Sequence, residues 1–185
     1  MRVISGSARG HKLKSPRGMA TRPTSDRIKE SLFNIIAAHV PGSYVLDLFA
    51  GTGALGIESL SRGAKFADFV EKNSSTARII SENLVHTKLS DRAKVHVCDW
   101  KDYINRRYNS TCKYDIIFMD PPYGKDFIVP VLKEIASKNM LNDDGMIIVE
   151  RDNTDIIPDV IEDLDVMREQ KYGRTVLTFI KKKIK

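Results

Sequence analysis

The sequence predicts an α/β fold in which helices cover both faces of a mainly parallel sheet. Short apolar runs rich in β-branched and aromatic residues alternate with segments of helical periodicity between residues 44 and 150. Such alternation is typical of repeated strand–helix units with right-handed connections. The first apolar run leads into Gly51-Thr52-Gly53-Ala54-Leu55-Gly56, a glycine-rich turn of the kind that opens a helix in doubly wound proteins.

The chain begins with a segment that does not share this alternation. Residues 1–22 alternate only weakly and contain glycine and proline, which predicts a basic arm or a short hairpin. Residues 23–185 are expected to complete one domain. The first helix is capped by Thr24 or Ser25 and ends before Pro41-Gly42. Its buried face consists of Ile28, Leu32, Ile35 and Ile36.

The alternation itself gives five strand–helix units. The predicted strands cover residues 44–49, 66–70, 94–98, 114–119 and 145–150. The predicted helices cover residues 54–62, 74–86 and 100–107, then a segment through 131–135 and a weak helix around Val160. Residues 166–171 and 175–180 flank Tyr172-Gly173-Arg174 and predict a terminal hairpin. The hairpin brings the sheet to seven strands, of which the last is antiparallel.

Length and composition restrict the class of protein. The 185 residues suit one domain, and 42% hydrophobic with 29% charged residues argues against disorder. No apolar run reaches the roughly 18 residues that span a bilayer, and the N-terminus has no signal-peptide hydrophobic region. Cys98 and Cys112 give no disulfide framework. We therefore expect a cytoplasmic protein without a membrane partner.

Positive charge is concentrated at both ends of the chain. The net charge is +6, and no Asp or Glu occurs between Met1 and Ser25. The basic side chains of that segment, our candidate substrate contacts, are Arg2, Arg9, Lys12, Lys14, Arg17 and Arg22. Such asymmetry suits a polyanion such as nucleic acid. The alternative is a solvated tail, and the lysines near residue 185 are more simply explained by solubility.

The glycine-rich turn matches the dinucleotide-binding fingerprint, but an acidic residue in front of it favours a different ligand. Asp47 lies four residues before Gly51, at the carboxyl end of the first strand, where it would repel a pyrophosphate. S-adenosylmethionine has no phosphate, and a carboxylate attracts its ammonium and sulfonium groups. Gly51 and Gly53 allow the backbone to approach the ligand closely. Phe49 and Ala50 complete this part of the predicted donor site, the site for the methyl donor S-adenosylmethionine.

Two further strands are also followed by acidic residues. Glu71 comes 20 residues after Gly51, at the end of the second strand, where a carboxylate can accept from both ribose hydroxyls. Asp99 ends the third strand and is placed to accept from the adenine amino group, with Trp100 beside it. For each of these acids, a helix N-cap is the structural alternative.

The fourth strand leads into Asp120-Pro121-Pro122-Tyr123. We interpret this motif as the acceptor site, which holds the amino group that receives the methyl. The Asp120 carboxylate and the Pro121 carbonyl can hold the two hydrogens of an exocyclic amino group and localise its lone pair. Prolines offer no N–H that would compete, and Tyr123 can stack on the base. A rigid Pro-Pro turn with a capping Asp is the alternative.

Other chemistries fit the sequence less well. Carbon-5 methylation of pyrimidines needs a cysteine nucleophile over the ring, and neither Cys98 nor Cys112 is predicted near Asp120. The four histidines show no metal-ligand spacing with each other. We therefore expect no metal.

These motifs resemble the RsmD family, the bacterial small-subunit (16S) ribosomal RNA guanine-N2 methyltransferases. The likeness includes Arg2-Val3-Ile4-Ser5-Gly6, the segment Arg22-Pro23-Thr24 through Leu32-Phe33-Asn34, the run from Leu46 to Gly56, and Asp120-Pro121-Pro122-Tyr123. Family members often have Phe where Tyr123 stands, and either ring can stack.

The resemblance implies a compact Rossmann-like class I S-adenosylmethionine-dependent methyltransferase without a separate RNA-binding domain. It implies S-adenosylhomocysteine as product and one guanine of ribosomal RNA as target, in free RNA or in an assembling ribosomal particle. We expect a monomer. Two contacts are expected alternatives for Arg22, one with RNA and one with the carboxylate of the donor.

Three other functions compete with this one. A DNA or other RNA amino methyltransferase, acting on adenine N6 or cytosine N4, would use the same acceptor loop, but the chain lacks a large target-recognition insertion. A non-catalytic donor-binding subunit would have no use for the acceptor motif. A small-molecule methyltransferase is disfavoured by the acid-free N-terminal segment.

Overall fold

A computed structural model describes residues 1–16, 26–107, 112–122 and 127–183. The described residues form an eight-stranded sheet. In chain order the strands are β1 (Tyr44–Asp47), β2 (Phe66–Glu71), β3 (Ala93–Val97), β4 (Tyr114–Met119), β5 (Leu141–Asp152), β6 (Val160–Ile161), β7 (Leu164–Tyr172) and β8 (Thr175–Lys182). In space their order is β3-β2-β1-β4-β5-β8-β7-β6.

Five helices connect and flank these strands. They are α1 (Asp26–Ile35), α2 (Ala54–Ser61), α3 (Ser74–His86), α4 (Trp100–Arg106) and α5 (Ile128–Ser137). Short 3₁₀ turns cover Ala37–His39 and Ser90–Arg92. The predicted bounds of α2, α3 and α4 agree with these to within about two residues, and Asn73 and Asp99 cap α3 and α4 through their side chains. Helix α1 ends at Ile35, well before Pro41, and its predicted caps, Thr24 and Ser25, lie outside the described residues. No helix of the described ranges is long and apolar enough to cross a membrane.

The strand order creates a switch point between β1 and β4. Strands β1 to β5 pair in parallel, and β8 pairs antiparallel with β5. From β1 the chain builds outward through β2 and β3, and it then returns to place β4 on the other side of β1. Loops that leave the carboxyl ends of β1 and β4 therefore diverge, which opens a crevice for a ligand.

The central strands β1, β2 and β4 are buried on both faces, as expected for parallel strands. One core contains apolar side chains of α1, α2 and α3 together with Val3, Ala8 and Leu13 of the N-terminal segment. The other core contains side chains of α4 and α5 and extends to Ile161 and Leu164. Helices on both faces and the Rossmann-like arrangement agree with the prediction.

Two predictions about the C-terminal part are wrong. The sheet has eight strands rather than seven, because the segment predicted as a weak helix around Val160 is the edge strand β6. Val160 and Ile161 are β-branched and pair with Asp165 and Leu164 across a tight turn in which Glu162 has φ 55°. Their preference, as β-branched residues, for extended backbone prevailed over the weak helical pattern.

The N-terminal segment folds back on itself and docks on the domain. The amide of Val3 donates to the carbonyl of His11 and that of Leu13 to Met1, at 3.0 and 3.1 Å. Residues 2 and 12 form an antiparallel bridge. The hydroxyl of Ser61 accepts from the amide of Ala8 at 2.9 Å and donates to the carbonyl of Ser5 at 2.6 Å. The described part, residues 1–16, is therefore not a solvated tail.

A buried carboxylate on α2 completes this docking. Glu58, which is 0% exposed, accepts from the amides of Ile4 and Ser5 at 2.8 and 3.0 Å. It also accepts from Arg62 Nε at 2.8 Å and lies 3.4 Å from Lys29 Nζ. Lys29 Nζ in turn donates to the carbonyl of Arg2. Burial lowers the pKa of Lys29, and the charge of Glu58 acts in the opposite direction. One network thus joins α1, α2 and the N-terminal segment.

Removal of the Glu58 charge should destabilise the protein strongly. In Glu58→Gln the buried Lys29 ammonium loses its counter-charge, so we expect the free energy of unfolding in urea to fall by about 3–5 kcal/mol. Glu82→Gln is a matched control, because Glu82 pairs with Lys14 at the surface and such pairs contribute about 1 kcal/mol or less. Equal losses in the two variants would contradict a structural role for the buried pair.

Candidate functional site

Three carboxylates meet at the carboxyl ends of β1 and β4, where the pairing of β4 with β5 also stops. Asp47 is the last residue of β1 and pairs with Phe118. Met119 pairs with Val149, so Asp120 and Glu150 follow side by side on β4 and β5. The charges of Glu150 and Asp47 both raise the pKa of Asp120. The structure therefore brings together two acids that the sequence singled out and one that it did not.

Asp47 is held by the first turn of α2. It is 2% exposed, and its Oδ2 accepts from the amide of Gly56 at 3.0 Å. The first amides of a helix have no partner within the helix, and a carboxylate is favoured there. Burial nevertheless raises the pKa of Asp47 to about 7, the Gly56 amide lowers it, and the charge of Glu71 raises it further.

The glycine-rich turn has a backbone shape that depends on its glycines. Gly51 and Gly53 have φ of 52° and 78°, in the left-handed region. A Cβ on Gly53 would lie 3.0 Å from Ile80 and 3.3 Å from Phe69, whereas a Cβ on Gly51 would meet nothing nearer than 4.0 Å. Gly53 is therefore fixed by packing, and Gly51 borders open space.

Glu71 also holds this turn. Its two carboxylate oxygens accept from the amides of Gly51, at 3.0 Å, and Asn73, at 2.8 Å. The N-cap of α3 is Asn73, whose side chain accepts from Ser75 and Thr76, so Glu71 is not a helix cap. A half-buried carboxylate that is already oriented at the end of β2 is suited to accept from ligand hydroxyls as well.

Asp99 has the structural role that the sequence analysis kept as an alternative. Its Oδ1 accepts from the amide of Lys101 at 3.0 Å and caps α4. Its Oδ2 lies 3.4 Å from Lys72 Nζ. This capping role does not test a contact with adenine, which stays a prediction.

The aromatic residues at this edge are partly buried. Trp100 and Phe127 pack against the core on the α4 and α5 face, with ring centroids 6.4 Å apart and a T-shaped orientation. Phe49 contacts the same core, and Ala50 is 7% exposed. Phe127 is the first described residue after the acceptor motif, so the Trp100 and Phe127 rings lie where the described chain resumes.

The acceptor motif is described only in part. Asp120 is half-buried, Pro121 is buried and Pro122 is exposed. Burial is the largest cause that raises the pKa of Asp120, followed by its acidic neighbours. Tyr123 lies outside the described residues.

The basic side chains of the N-terminal segment fall into two groups. Arg2 lies 3.5 Å from Asp26, and Lys14 lies 2.9 Å from Glu82, so both have acidic partners within the protein. Arg9 and Lys12 are exposed and form no ion pair within the described ranges. Arg17 and Arg22 lie outside the described residues. A segment without acids in sequence is thus partly neutralised in space, by acids of α1 and α3.

The sequence analysis missed two residues at or beside this edge. Glu150 is 5% exposed and follows the last residue of β5 that pairs with β4. It ends the fifth predicted strand, so the strand-end argument that selected Asp47 would also have selected Glu150. Asn83 is 0% exposed, and its side chain contacts Thr52 of the glycine-rich turn. In the sequence Asn83 is marked only as a polar residue next to the apolar helix face that contains Ile80 and Leu84.

Potential metal ligands do not cluster in the described part of the chain. No group of three or more His, Cys, Asp or Glu side chains there has a geometry that could hold a metal ion. Cys98, which is half-buried, and Cys112, which is exposed, form no disulfide bond among the described residues.

Comparison with known proteins identifies the family. A family model described as Conserved hypothetical protein 95 matches residues 1–181. The YlbH protein of Bacillus subtilis is 38% identical over 183 residues, which cover 99% of this chain and 100% of that protein. Ribosomal RNA small subunit methyltransferase D of Haemophilus influenzae is 34% identical over 176 residues, which cover 94% of this chain and 89% of that protein. The chain belongs to the RsmD family.

Membership of the RsmD family confirms the resemblance drawn from the motifs. The solved structure of the yhhF protein of Escherichia coli superposes with a TM-score of 0.88 at 30% identity, and the match covers 100% of this chain and 99% of that one. The fold is therefore the Rossmann-like methyltransferase fold, with the eighth strand as the difference from our expectation.

The burial of Asp47 should make stability depend on pH. The folded protein keeps the Asp47 proton up to a pH of about 7, whereas the unfolded chain loses it near 4. The folded state binds more protons in that interval, so this group lowers the free energy of unfolding as pH rises from about 4 to about 7. Each unit of pKa difference corresponds to about 1.4 kcal/mol.

Asp47→Asn removes this ionisation. We expect urea unfolding to show that the variant gains stability relative to the natural protein between pH 5 and pH 8, by a few kcal/mol at most. Asp91→Asn, at an exposed position, should follow the natural protein across the same interval. A parallel course for all three proteins would show that Asp47 ionises normally.

Proposed function

We propose that this protein transfers a methyl group from S-adenosylmethionine to the exocyclic N2 amino group of a guanine in 16S ribosomal RNA. The observation that carries the proposal is the position of Asp120. It follows β4 at the switch point, beside Asp47 at the end of β1, and it is followed by two prolines. An acceptor for amino hydrogens thus adjoins a site suited to a cationic ligand, in a member of an rRNA methyltransferase family.

The charges at the edge of the sheet fit the proposed donor. The charged groups that most affect Asp47 and Asp120 are other carboxylates, Glu71 and Glu150 among them. A phosphate would be repelled there, whereas an ammonium and a sulfonium would reduce the repulsion. Gly51 borders open space and allows close approach of a ligand to the backbone. We assign Asp47, Phe49, Ala50, Gly51, Gly53, Glu71, Asp99 and Trp100 to donor binding.

Asp120 and Pro121 act on the acceptor. Bound S-adenosylmethionine supplies an activated methyl group, so the protein has mainly to position and polarise the amine. The Asp120 carboxylate and the Pro121 carbonyl accept the two amino hydrogens, which draws the nitrogen lone pair out of conjugation with the ring. Because burial and the acidic neighbours raise the pKa of Asp120, its carboxylate is also suited to receive the proton that the amine loses. Tyr123 stacks on the base.

We propose that the N-terminal segment binds RNA phosphates. Arg9 and Lys12 are exposed, so they are the strongest candidates, whereas Arg2 and Lys14 already have acidic partners. Arg17 and Arg22 continue the same basic stretch. The protein would act as a monomer in the cytoplasm, on RNA that is free or part of an assembling ribosomal particle.

Methyl transfer tests this function directly. Unmodified 16S RNA, as a transcript or in reconstituted small-subunit particles, is incubated with the protein and labelled S-adenosylmethionine, and the nucleosides are separated after digestion. We expect label in N2-methylguanosine. Label in N6-methyladenosine or N4-methylcytidine would assign the same acceptor loop to another base, and unlabelled RNA in every form would contradict RNA methylation.

Asp120→Ala should separate catalysis from donor binding. We expect methyl transfer to fall below detection, because the amino group loses the carboxylate that accepts its hydrogen bond. The Kd for S-adenosylhomocysteine in calorimetry should stay within about threefold, a change in binding free energy smaller than that of one hydrogen bond. Asp102→Ala, at an exposed position on α4, is the control and should retain activity. Near-normal turnover in Asp120→Ala would rule out the proposed role of this carboxylate.

Charge removal on the N-terminal segment should change the salt dependence of RNA binding. Arg9→Gln/Lys12→Gln should flatten the plot of log affinity against log salt by roughly 0.7–0.9 for each RNA phosphate that is no longer neutralised, with little effect on donor binding. Lys101→Gln/Lys133→Gln makes the same charge change on α4 and α5, which cover the opposite face of the sheet. The same slope in both double variants would move RNA recognition away from Arg9 and Lys12.

A further inference from the structure

The side chain of Asn83 connects two parts of the proposed site that are far apart in sequence. Its Oδ1 accepts from the amide of Lys14 at 2.8 Å. Its Nδ2 donates to the carbonyl of Lys14 at 3.1 Å and to that of Thr52 at 3.0 Å. Asn83 therefore binds the end of the described N-terminal segment and the middle of the glycine-rich turn at once.

The pattern of donors and acceptors around Asn83 admits one amide orientation. Lys14 offers one N–H and one carbonyl, and Thr52 offers a carbonyl, so the side chain must supply one acceptor and two donors. A neutral amide supplies them, whereas a carboxylate has no donor and an aliphatic side chain has neither. Asn83 is 0% exposed, so water is not at hand to replace these bonds.

Neighbouring contacts reinforce the same connection. The Lys14 ammonium pairs with Glu82, the residue before Asn83, at 2.9 Å. Ile80, one turn earlier on α3, limits the space beside Gly53. Leu13 is buried in the core that contains Ile80 and Leu55. One turn of α3 thus lies between the N-terminal segment and the turn that precedes α2.

We propose that Asn83 is a positioning residue that couples the N-terminal segment to the glycine-rich turn, so that donor binding orders residue 14 and RNA held by that segment strengthens donor binding. The proposal rests on the proposed function. A ligand on the turn stabilises the conformation in which the Thr52 carbonyl faces Asn83, and this fixes the amide that holds Lys14. By thermodynamic reciprocity, RNA that orders residue 14 raises the affinity for the donor by the same factor by which the donor raises the affinity for RNA.

Hydrogen–deuterium exchange of the natural protein gives the first test. Saturation with S-adenosylhomocysteine should slow exchange of the Lys14 amide by at least about threefold. The amide of Tyr44, which donates to Asp115 at the amino end of β1, should be unaffected. An unchanged Lys14 amide at saturation would overturn the coupling, and this outcome depends on no variant.

Asn83→Ala gives the second test, with Thr87→Val as matched control. Thr87 is also buried on the same helix end, and its hydroxyl donates to the carbonyls of Asn83 and Leu84, without contact to the turn. Asn83→Ala should weaken S-adenosylhomocysteine binding about tenfold and abolish the ligand-dependent protection of Lys14. Thr87→Val should stay within about twofold in affinity and retain the protection, at a comparable loss of thermal stability.

The outcomes distinguish the two proposals. If the natural protein does not bind S-adenosylhomocysteine, the proposed function fails and the coupling fails with it. If it binds, but Asn83→Ala and Thr87→Val weaken binding equally, the proposed function stands and the coupling is overturned. Loss of ligand affinity and of Lys14 protection in Asn83→Ala, but not in Thr87→Val, would support the coupling through Asn83.

Discussion

The crowding of carboxylates at the carboxyl ends of the central strands is the constraint on which the site depends. Asp47, Asp120 and Glu150 come from three neighbouring strands, and the charge of Glu71 reaches Asp47. Buried like charges are unfavourable in the free protein, and one local compensation is the Gly56 amide in the first turn of α2. The positive charge of the proposed donor reduces the remaining repulsion between the carboxylates. The affinity for the donor and the cost of burying these carboxylates in the free protein therefore have the same physical origin.

Much of the fold and part of the site could be predicted because their signals are local. Strand periodicity, the glycines and the acids at strand ends all lie within a few residues of the features they specify, and Asp47 and Asp120 are found where the pattern placed them. The segment around Val160 shows that local signals can conflict, since its β-branched residues favour a strand, its periodicity favours a weak helix, and it pairs with β7 as a strand. Glu58 and Asn83 could not be identified in this way, because the partners that define their roles, all except Arg62, lie 29 to 69 residues away.

The distribution of charge illustrates the same limit. The N-terminal segment is free of acids in sequence, yet Asp26 and Glu82 lie beside Arg2 and Lys14. Exposed pairs of this kind contribute little to stability, but they orient side chains and reduce the net field. Arg9 lies in the turn of the segment, Lys12 lies in the antiparallel bridge that follows it, and both side chains are exposed. Sequence asymmetry alone would assign all of these side chains to the proposed RNA contact, whereas the structure separates the exposed residues without an ion pair from those that fix the segment.

The N-terminal segment and the glycine-rich turn are supported by the same two helices. Helix α2 begins at the turn and carries Glu58 and Ser61, which hold residues 4–8. Helix α3 carries Asn83, which holds residue 14 and the turn. Because packed interiors resist continuous deformation, a displacement of the segment shifts helices that also border the donor site. The buried pair of Lys29 and Glu58 is an expensive way to gain stability. Its position suggests another use, because it fixes how the proposed RNA-binding segment sits relative to the proposed donor site.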